Sequence, residues 1–117
     1  MKKILVADDE MSIRLLYSEE LKEEGYDVYL AANGREAMEI VDHVPLDLVI
    51  LDIKMPEMDG IEALRQIKEK RPDLPVLLST AYGEYKQDFA TWASDEYLVK
   101  SSDLEDLKSM VKRYLKE

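Results

Sequence analysis

A small set of polar side chains follows short apolar runs, and together they could bind a metal ion and a phosphoryl group. Asp8 and Asp9 follow the first run, and Asp52 follows a later one. Thr80 and Lys100 close two further runs. A single acid in such a place is usually a solvated loop residue or a helix cap. Polar side chains that recur at the ends of several apolar runs therefore indicate one site assembled from distant parts of the chain.

The three carboxylates define the chemistry of such a site. Converging carboxylates repel one another, and some would take up protons unless a cation balanced them. Mg²⁺ prefers oxygen ligands, uses one or two carboxylates and keeps waters, which leaves room for a phosphoryl oxygen. Lys100 would add a second positive charge, and Thr80 would add a hydroxyl donor. A carboxylate, a metal ion, an ammonium and a hydroxyl suit the transfer of a phosphoryl group onto aspartate.

The runs that carry these residues alternate with amphipathic segments, in a strand–helix order repeated five times. The segments 4–7 and 48–51 are apolar without alternation, which is typical of strands buried on both faces of a parallel sheet. The chain order predicts an α/β protein with an open parallel sheet and helices on both faces. The predicted strands are Lys3–Ala7, Asp27–Ala31, Leu46–Leu51, Pro75–Ser79 and Glu96–Val99.

The segments between the strands place apolar residues at helical spacing. Gly25, Pro45 and Pro72 are suitable stops for the first three of them. A shorter segment at 83–93 has a less clear period and is predicted as a fourth helix. Three helix starts combine a capping side chain with an acid three residues later, namely Asn33 with Glu36, Asp59 with Glu62 and Ser102 with Glu105.

Composition narrows the class of protein further. The chain has 117 residues, a length typical of one domain. It has no cysteine, which excludes disulfides, iron–sulfur clusters and thiolate zinc sites. Acids outnumber bases by 26 to 16, so neither nucleic acid nor an anionic membrane is expected as a direct partner. No apolar run approaches the roughly 20 residues of a membrane helix. We therefore expect a cytoplasmic protein.

From end to end, the sequence resembles the receiver domain of bacterial two-component response regulators. The resemblance rests on four motifs in order, at residues 4–10 (ILVADDE), 51–60 (LDIKMPEMDG), 79–81 (STA) and 97–100 (YLVK). It implies a doubly wound (βα)5 flavodoxin-like fold with strand order 2-1-3-4-5, and a single domain over residues 1–117. It also implies a phosphoacceptor signalling module, which assists its own phosphorylation and dephosphorylation, rather than an enzyme.

The resemblance assigns metal-binding and acceptor roles to residues that match the motifs of the family. Asp52 looks like the phosphoacceptor. Asp9, Asp52 and the backbone carbonyl of Lys54 look like the direct Mg²⁺ ligands, and Asp8 looks like a ligand that acts through water. Mg²⁺ is therefore the implied cofactor.

The resemblance also assigns roles toward the phosphoryl group itself. Lys100 would pair with that group and Thr80 would hydrogen-bond it. Tyr97 would be the aromatic switch residue, which rotates inward as Thr80 moves. Lys54 and Tyr82 flank the expected phosphoryl site, where they are either ordinary loop residues or a shield that lengthens the phosphoryl lifetime.

Within the family, the chain looks most like single-domain phosphorelay intermediates of the sporulation type. Segments 31–34 (AANG) and 80–84 (TAYGE) carry this likeness. Such proteins take a phosphoryl group from a histidine kinase and pass it to a histidine phosphotransferase, so these are the implied partners. There are two alternatives: a receiver domain from a longer regulator, and a binding scaffold that is not phosphorylated. The sequence leaves the oligomeric state open, with a monomer as the expectation.

Two departures from the family pattern affect the second half of the chain. Ser101 stands where a proline usually follows the active-site lysine, which leaves both a cis and a trans peptide open. The interval between Thr80 and Lys100 is slightly shorter than usual, so the fourth helix is expected to be truncated or re-angled. On the first helix, Met11 and Leu15 are expected either to complete the core or to form a docking patch for a helical partner.

Two other classes of protein fit the sequence less well. A flavodoxin-like FMN carrier would need a hydroxyl- and glycine-rich loop after the first strand, where Asp8, Asp9 and Glu10 would instead repel a phosphate. A hydrolase with an aspartyl-phosphate intermediate would need a substrate-binding cap, for which this length leaves no room.

Overall fold

The computed structural model describes residues 1–80, 96–99 and 104–115, with the backbone alone for Thr80 and for 96–99. Strands and helices alternate as predicted through residues 1–80, and the strand at 96–99 is followed by a helix at 104–115. The strands are β1 (Lys3–Ala7), β2 (Asp27–Ala31), β3 (Leu48–Asp52), β4 (Val76–Thr80) and β5 (Glu96–Val99). The helices are α1 (Met11–Glu23), α2 (Gly34–His43), α3 (Gly60–Lys70) and α4 (Leu104–Leu115).

All five strands are parallel and form one sheet in the order β2-β1-β3-β4-β5, which confirms the predicted fold class. The chain changes direction across the sheet between β1 and β3, and ligands of open α/β sheets bind at the carboxyl edge beside such a point. Two strands begin and end later than predicted: β3 replaces the predicted Leu46–Leu51, and β4 replaces the predicted Pro75–Ser79. The ladder includes the pair Asp52 and Ser79, so these polar residues belong to the strands themselves.

The sheet separates two hydrophobic layers, which explains the continuous apolar runs. Leu51 and Leu78 pack with α2 and α3 on one face, whereas Ile50 and Leu77 pack with α1 and α4 on the other. Every residue of 4–7 and 48–51 is at most 1% exposed, as expected for strands covered on both faces. Within the described segments, no helix combines the length and the apolar character needed to cross a lipid bilayer.

Two of the predicted helix caps are confirmed. The Asn33 side chain accepts a hydrogen bond from the Glu36 amide at 2.8 Å, and Asp59 accepts one from the Glu62 amide at 2.9 Å. The Glu36 carboxylate reaches back to the amide of Ala32 at 2.7 Å, one residue before the cap. These bonds satisfy amides that a helix start otherwise leaves without partners.

Helices α1 and α4 are joined by partly exposed ion pairs. The Lys108 ammonium lies 2.9 Å from a Glu20 carboxylate oxygen and 3.3 Å from a Glu105 oxygen. Lys112 lies 3.1 Å from Glu24 one turn further along. The hydrogen bonds that Lys108 donates to Glu20 and, to a smaller extent, to Glu105 raise its pKa above the usual value. Lys108 therefore helps to fix the position of α1.

We expect Lys108→Met to lower the melting temperature at neutral pH by a few degrees, since exposed ion pairs contribute little individually. Lys112→Met should lower it less, because the Lys112 side chain is 51% exposed against 20% for Lys108. Because the pKa of Lys108 is higher in the folded than in the unfolded state, its ion pairs stabilise the folded state fully at a pH below the ordinary lysine pKa. This stabilisation is lost as the pH rises through the raised pKa. Thermal unfolding of the wild type and both variants in neutral buffer checks this prediction. An unchanged melting temperature at neutral pH would contradict it.

Some sequence predictions fall on residues outside the described segments. They concern the fourth predicted helix at 83–93, the cap pair that begins at Ser102, and the peptide bond between Lys100 and Ser101. These predictions stay as they were stated.

Candidate metal and phosphoryl site

Asp8 is fixed at the carboxyl end of β1 by contacts from three directions. Its side chain is buried, and one carboxylate oxygen accepts the amide of Glu10 at 2.9 Å. Its own amide donates to the carbonyl of Ala31 in β2 at 3.0 Å. The Arg14 guanidinium, on the first turn of α1, donates to the Asp8 carbonyl at 2.6 Å. The sequence did not predict this contact, because it depends on how α1 is set against β1.

The carboxylates after β1 form a cluster that could hold a metal ion. Oxygen atoms of Asp8, Asp9 and Glu10 all lie within 4.8 Å of one another. Asp8 is buried while the other two are exposed, so the cluster opens to solvent on one side. An all-oxygen set with excess negative charge suits a hard divalent cation such as Mg²⁺. Glu10 was not among the predicted ligands, although it follows directly in the acidic triplet.

Asp52 lies at the same edge of the sheet, at the end of the neighbouring strand. Its side chain is 5% exposed, so it is one of the few buried charged residues among those described. The backbone beyond it stays in the sheet, because the amide of Ile53 donates to the carbonyl of Ser79 at 3.2 Å. Gly60 at the start of α3 packs directly on the Asp52 backbone, and its amide donates to the carbonyl of Ile53 at 2.8 Å. The backbone around Asp52 is therefore held in place by β4 and by the start of α3.

The loop between β3 and α3 is fastened to the start of α2. The amide of Gly34 donates to the carbonyl of Met58 at 3.1 Å, and the Asn33 amide group donates to a Glu57 carboxylate oxygen at 3.0 Å. The Arg35 guanidinium lies 3.3 Å from the second Glu57 oxygen. Glu57 has φ 68°, a left-handed conformation that non-glycine residues rarely adopt. The contacts of its side chain therefore help to hold this turn.

The same loop forms one wall of an open pocket of about 710 Å³ next to the acidic cluster. Lys54, whose backbone carbonyl the resemblance assigns to the metal, lines this pocket together with Asp9. Such an opening would admit a reacting group from a partner molecule. The lining residues are Asp9, Ile53, Lys54, Met55, Pro56, Asp59 and Ile61.

The structure brings together part of the predicted site. Asp8 and Asp9 follow β1 and the buried Asp52 ends β3, so the pairing of these strands places all three at one sheet edge. The cluster of carboxylate oxygens within 4.8 Å contains Asp8, Asp9 and Glu10 but not the predicted ligand Asp52. The backbone of Thr80 ends β4 at the same edge, in register with Val99 of β5. The Thr80 side chain, the Tyr97 side chain, and all of Lys100 and Tyr82 lie outside the described part of the chain, so their roles remain predictions.

Comparison with known proteins identifies the class to which this fold and acidic edge belong. The family model for the response regulator receiver domain matches residues 4–112. The chain therefore belongs to the response regulator receiver domain family, and it is a receiver domain of a two-component system.

Two curated relatives show how far the likeness extends. Sporulation initiation phosphotransferase F of Bacillus subtilis (strain 168) is 40% identical over 116 residues, which cover 97% of this chain and 94% of that protein. The regulatory protein AtoC of Escherichia coli (strain K12) is 35% identical over 117 residues. That match covers 98% of this chain but 25% of AtoC, so the chain spans only about a quarter of the larger regulator.

Solved structures agree with this assignment. The response regulator TrrA from Thermotoga maritima, in complex with Mg²⁺–BeF, is 48% identical with a TM-score of 0.92, covering 97% of this chain and 99% of TrrA. TrrA in complex with the histidine kinase ThkA is 49% identical with a TM-score of 0.90, covering 98% and 99% of the two chains. The predicted family and fold are confirmed.

Proposed function

We propose that this protein accepts a phosphoryl group from a phosphohistidine onto Asp52, with Mg²⁺, and then passes it on or switches the binding of a partner. The observation that carries the proposal is the placement of a buried carboxylate beside a cluster of three acids at one sheet edge. A buried carboxylate at the sheet edge where ligands of this fold bind suits a nucleophile better than a solubilising surface charge.

In this proposal, a carboxylate oxygen of Asp52 attacks phosphorus, so that an O–P bond forms while the N–P bond of the phosphohistidine breaks. Asp9, Asp52 and the carbonyl of Lys54 would hold Mg²⁺, and Asp8 would act through water. The metal would supply positive charge against the phosphoryl oxygens. Asp8 suits its indirect role, because its buried carboxylate already accepts the Glu10 amide.

Further residues would respond to the phosphoryl group. Lys100 would pair with its oxygens and Thr80 would donate a hydrogen bond, and both interactions exist only in the phosphorylated state. Their differential contacts would bias the position of Tyr97, as a two-state switch requires. Lys54 and Tyr82 would shield the acyl phosphate from water, which a relay protein needs while it waits for its partner.

Labelling with a small acyl phosphate tests the proposed function without any partner protein. We expect incubation with acetyl phosphate and Mg²⁺ to add one phosphoryl group, detected by intact mass spectrometry. Chelation of the metal should abolish the addition, since the acidic edge would then repel the incoming phosphoryl oxygens. Absence of labelling in Mg²⁺ would contradict the proposal.

Helix α1 provides the surface at which the phosphodonor or phosphoacceptor protein would dock. We define the α1 patch as Met11, Leu15 and Leu16, whose side chains are 63%, 55% and 40% exposed. The patch begins two residues after Asp9, so a partner helix lying on it would bring its histidine to the pocket. TrrA has been solved with a histidine kinase, and the sporulation relative is a phosphotransferase. A histidine kinase or a histidine phosphotransferase is therefore the proposed partner.

We expect Leu15→Asp to slow phosphotransfer from a phosphorylated kinase at least about tenfold, because a charge in a docking patch is costly to desolvate. Labelling by acetyl phosphate should fall far less, since a small donor needs no docking surface. Leu30→Asp is the matched control, because Leu30 is a 37% exposed leucine on the edge strand β2. Equal loss of kinase transfer in both variants would count against the α1 patch.

A further inference from the structure

Ser79 carries an unusual hydroxyl group. The residue is 1% exposed, and within the described residues its Oγ has no hydrogen-bond partner. A buried hydroxyl without a partner destabilises the fold, and folded proteins contain few such groups. An apolar residue of similar size would fit this place in the core without that cost, so the hydroxyl calls for another explanation.

The position of Ser79 provides that explanation. In the parallel ladder between β3 and β4, Ser79 is the register partner of Asp52. Ile50 and Leu77, two residues before each of them, pack in the same hydrophobic layer. Because side chains alternate along a strand, Asp52 and Ser79 project from the same face of the sheet. Adjacent strands lie about 4.8 Å apart, so the two side chains are neighbours, and a rotation of the serine side chain would turn its hydroxyl toward the oxygens that phosphorylation adds to Asp52.

We infer that Ser79 is a positioning residue for the phosphorylated state, in which its hydroxyl donates a hydrogen bond to an oxygen of the modified Asp52 side chain. The inference rests on the proposed function, and it adds a donor beyond Thr80 and Lys100. Phosphorylation places additional acceptor oxygens on Asp52, and hydrogen bonds to charged oxygens are the strong ones. The Ser79 hydroxyl has no partner among the described residues before phosphorylation and gains one afterwards, so it stabilises the phosphorylated state relative to the unmodified one.

If Ser79 has this role, removing its hydroxyl should leave the stability of the unmodified protein unchanged or higher, but should weaken the binding of a phosphoryl mimic. Ser79→Ala removes a buried donor without a partner, so the melting temperature of the unmodified protein should stay the same or rise by a few degrees. Binding of the phosphoryl mimic beryllofluoride in Mg²⁺ should weaken about tenfold, the size expected for one hydrogen bond to a charged group. A merely structural serine would instead lose stability and keep its affinity for the mimic.

The experiment measures the dissociation constant for beryllofluoride in Mg²⁺ together with the melting temperature of the unliganded protein. Wild type and Asp52→Asn come first, because binding by the former and its loss in the latter test the proposed function independently of Ser79. Ser79→Ala then tests the inference, and Ser79→Thr, which retains a hydroxyl, should bind within about twofold of wild type. Ser18→Ala is the matched control, since Ser18 is a buried serine on α1.

Weaker binding in Ser79→Ala with an undiminished melting temperature, and unchanged affinity in Ser18→Ala, would support the inference. Affinity within twofold of wild type in Ser79→Ala would overturn it. A lower melting temperature in Ser79→Ala would also overturn it, because the hydroxyl would then have a structural partner such as an ordered water. If the threonine variant does not fold, Ser79→Cys replaces it and should bind more tightly than Ser79→Ala, since its thiol is a weak donor.

Discussion

Asp52→Asn is expected to reduce phosphoryl labelling at least about a hundredfold, because an amide cannot replace the carboxylate oxygen that forms the bond to phosphorus. The substitution preserves the shape of a side chain that is 5% exposed at the end of β3. It also removes one negative charge from an edge that carries the Asp8, Asp9 and Glu10 cluster. The melting temperature should therefore not fall. Intact mass spectrometry after incubation with acetyl phosphate and Mg²⁺ measures the loss.

Asp73→Asn is the matched control for this prediction. Asp73 is exposed in the turn before β4, at the opposite edge of the sheet, and it undergoes the same chemical change. We expect it to be labelled like the wild type. Labelling of the Asp52 variant at a rate similar to that of the control would show that another residue receives the phosphoryl group.

Gly60→Ala is expected to damage stability and labelling together. A β-carbon at Gly60 would lie 2.0 Å from the Asp52 carbonyl oxygen and 2.8 Å from the Ile53 Cα, and both are backbone atoms that cannot turn aside. The start of α3 must then move away from β3. We expect a loss of about 3 kcal/mol in the free energy of unfolding. Labelling should slow about tenfold or more, because small displacements of reacting groups are costly.

Gly25→Ala separates this packing effect from the general cost of replacing a glycine. Gly25 has φ 95° and open space around its missing β-carbon, so alanine there is strained but does not collide. We expect a loss of about 1–2 kcal/mol and unchanged labelling. Denaturant unfolding and acetyl phosphate labelling check both variants. Normal labelling of the Gly60 variant would indicate that α3 does not control the position of Asp52.

The sequence predicted the fold well because the fold depends on local patterns. Unbroken apolar runs identified the central strands, and helical spacing with capping side chains at Asn33 and Asp59 identified helix starts. The ends of β3 and β4 were placed one residue early, because hydrophobicity ends before hydrogen bonding does. Asp52 is polar yet still pairs in the ladder with Ser79. The strand order came from the family resemblance, since alternation alone does not determine it.

The candidate site was predicted only in part, because several of its contacts depend on tertiary packing. The contact of Arg14 with the Asp8 carbonyl requires α1 to lie at a particular angle, and no spacing along the chain indicates this. The bonds that hold Glu57 come from the start of α2, more than 20 residues earlier in the chain. The orphaned hydroxyl of Ser79 is visible only when its surroundings are known. Glu10, in contrast, stands in the acidic triplet and could have been included.

For the α1 patch, the helical spacing of the sequence did not determine which residues pack in the core. Helical spacing placed Met11 and Leu15 beside the buried face of α1, which left core and docking roles open. In the structure their side chains are 63% and 55% exposed, so the docking role is the one that agrees with their environment. The buried face of α1 is formed instead by Tyr17, Ser18 and Leu21. Exposure of large apolar side chains beside a reactive edge indicates an interaction surface.

The residue that carries the phosphoryl group can be located on the protein by mass spectrometry. The purified chain is incubated with a phosphorylated histidine kinase or with acetyl phosphate in Mg²⁺, the acyl phosphate is trapped by borohydride reduction, and the modified peptide is sequenced by mass spectrometry. We expect a single modification at Asp52, which disappears when the metal is chelated. A modification at any other residue, or no modification in the presence of Mg²⁺, would contradict it.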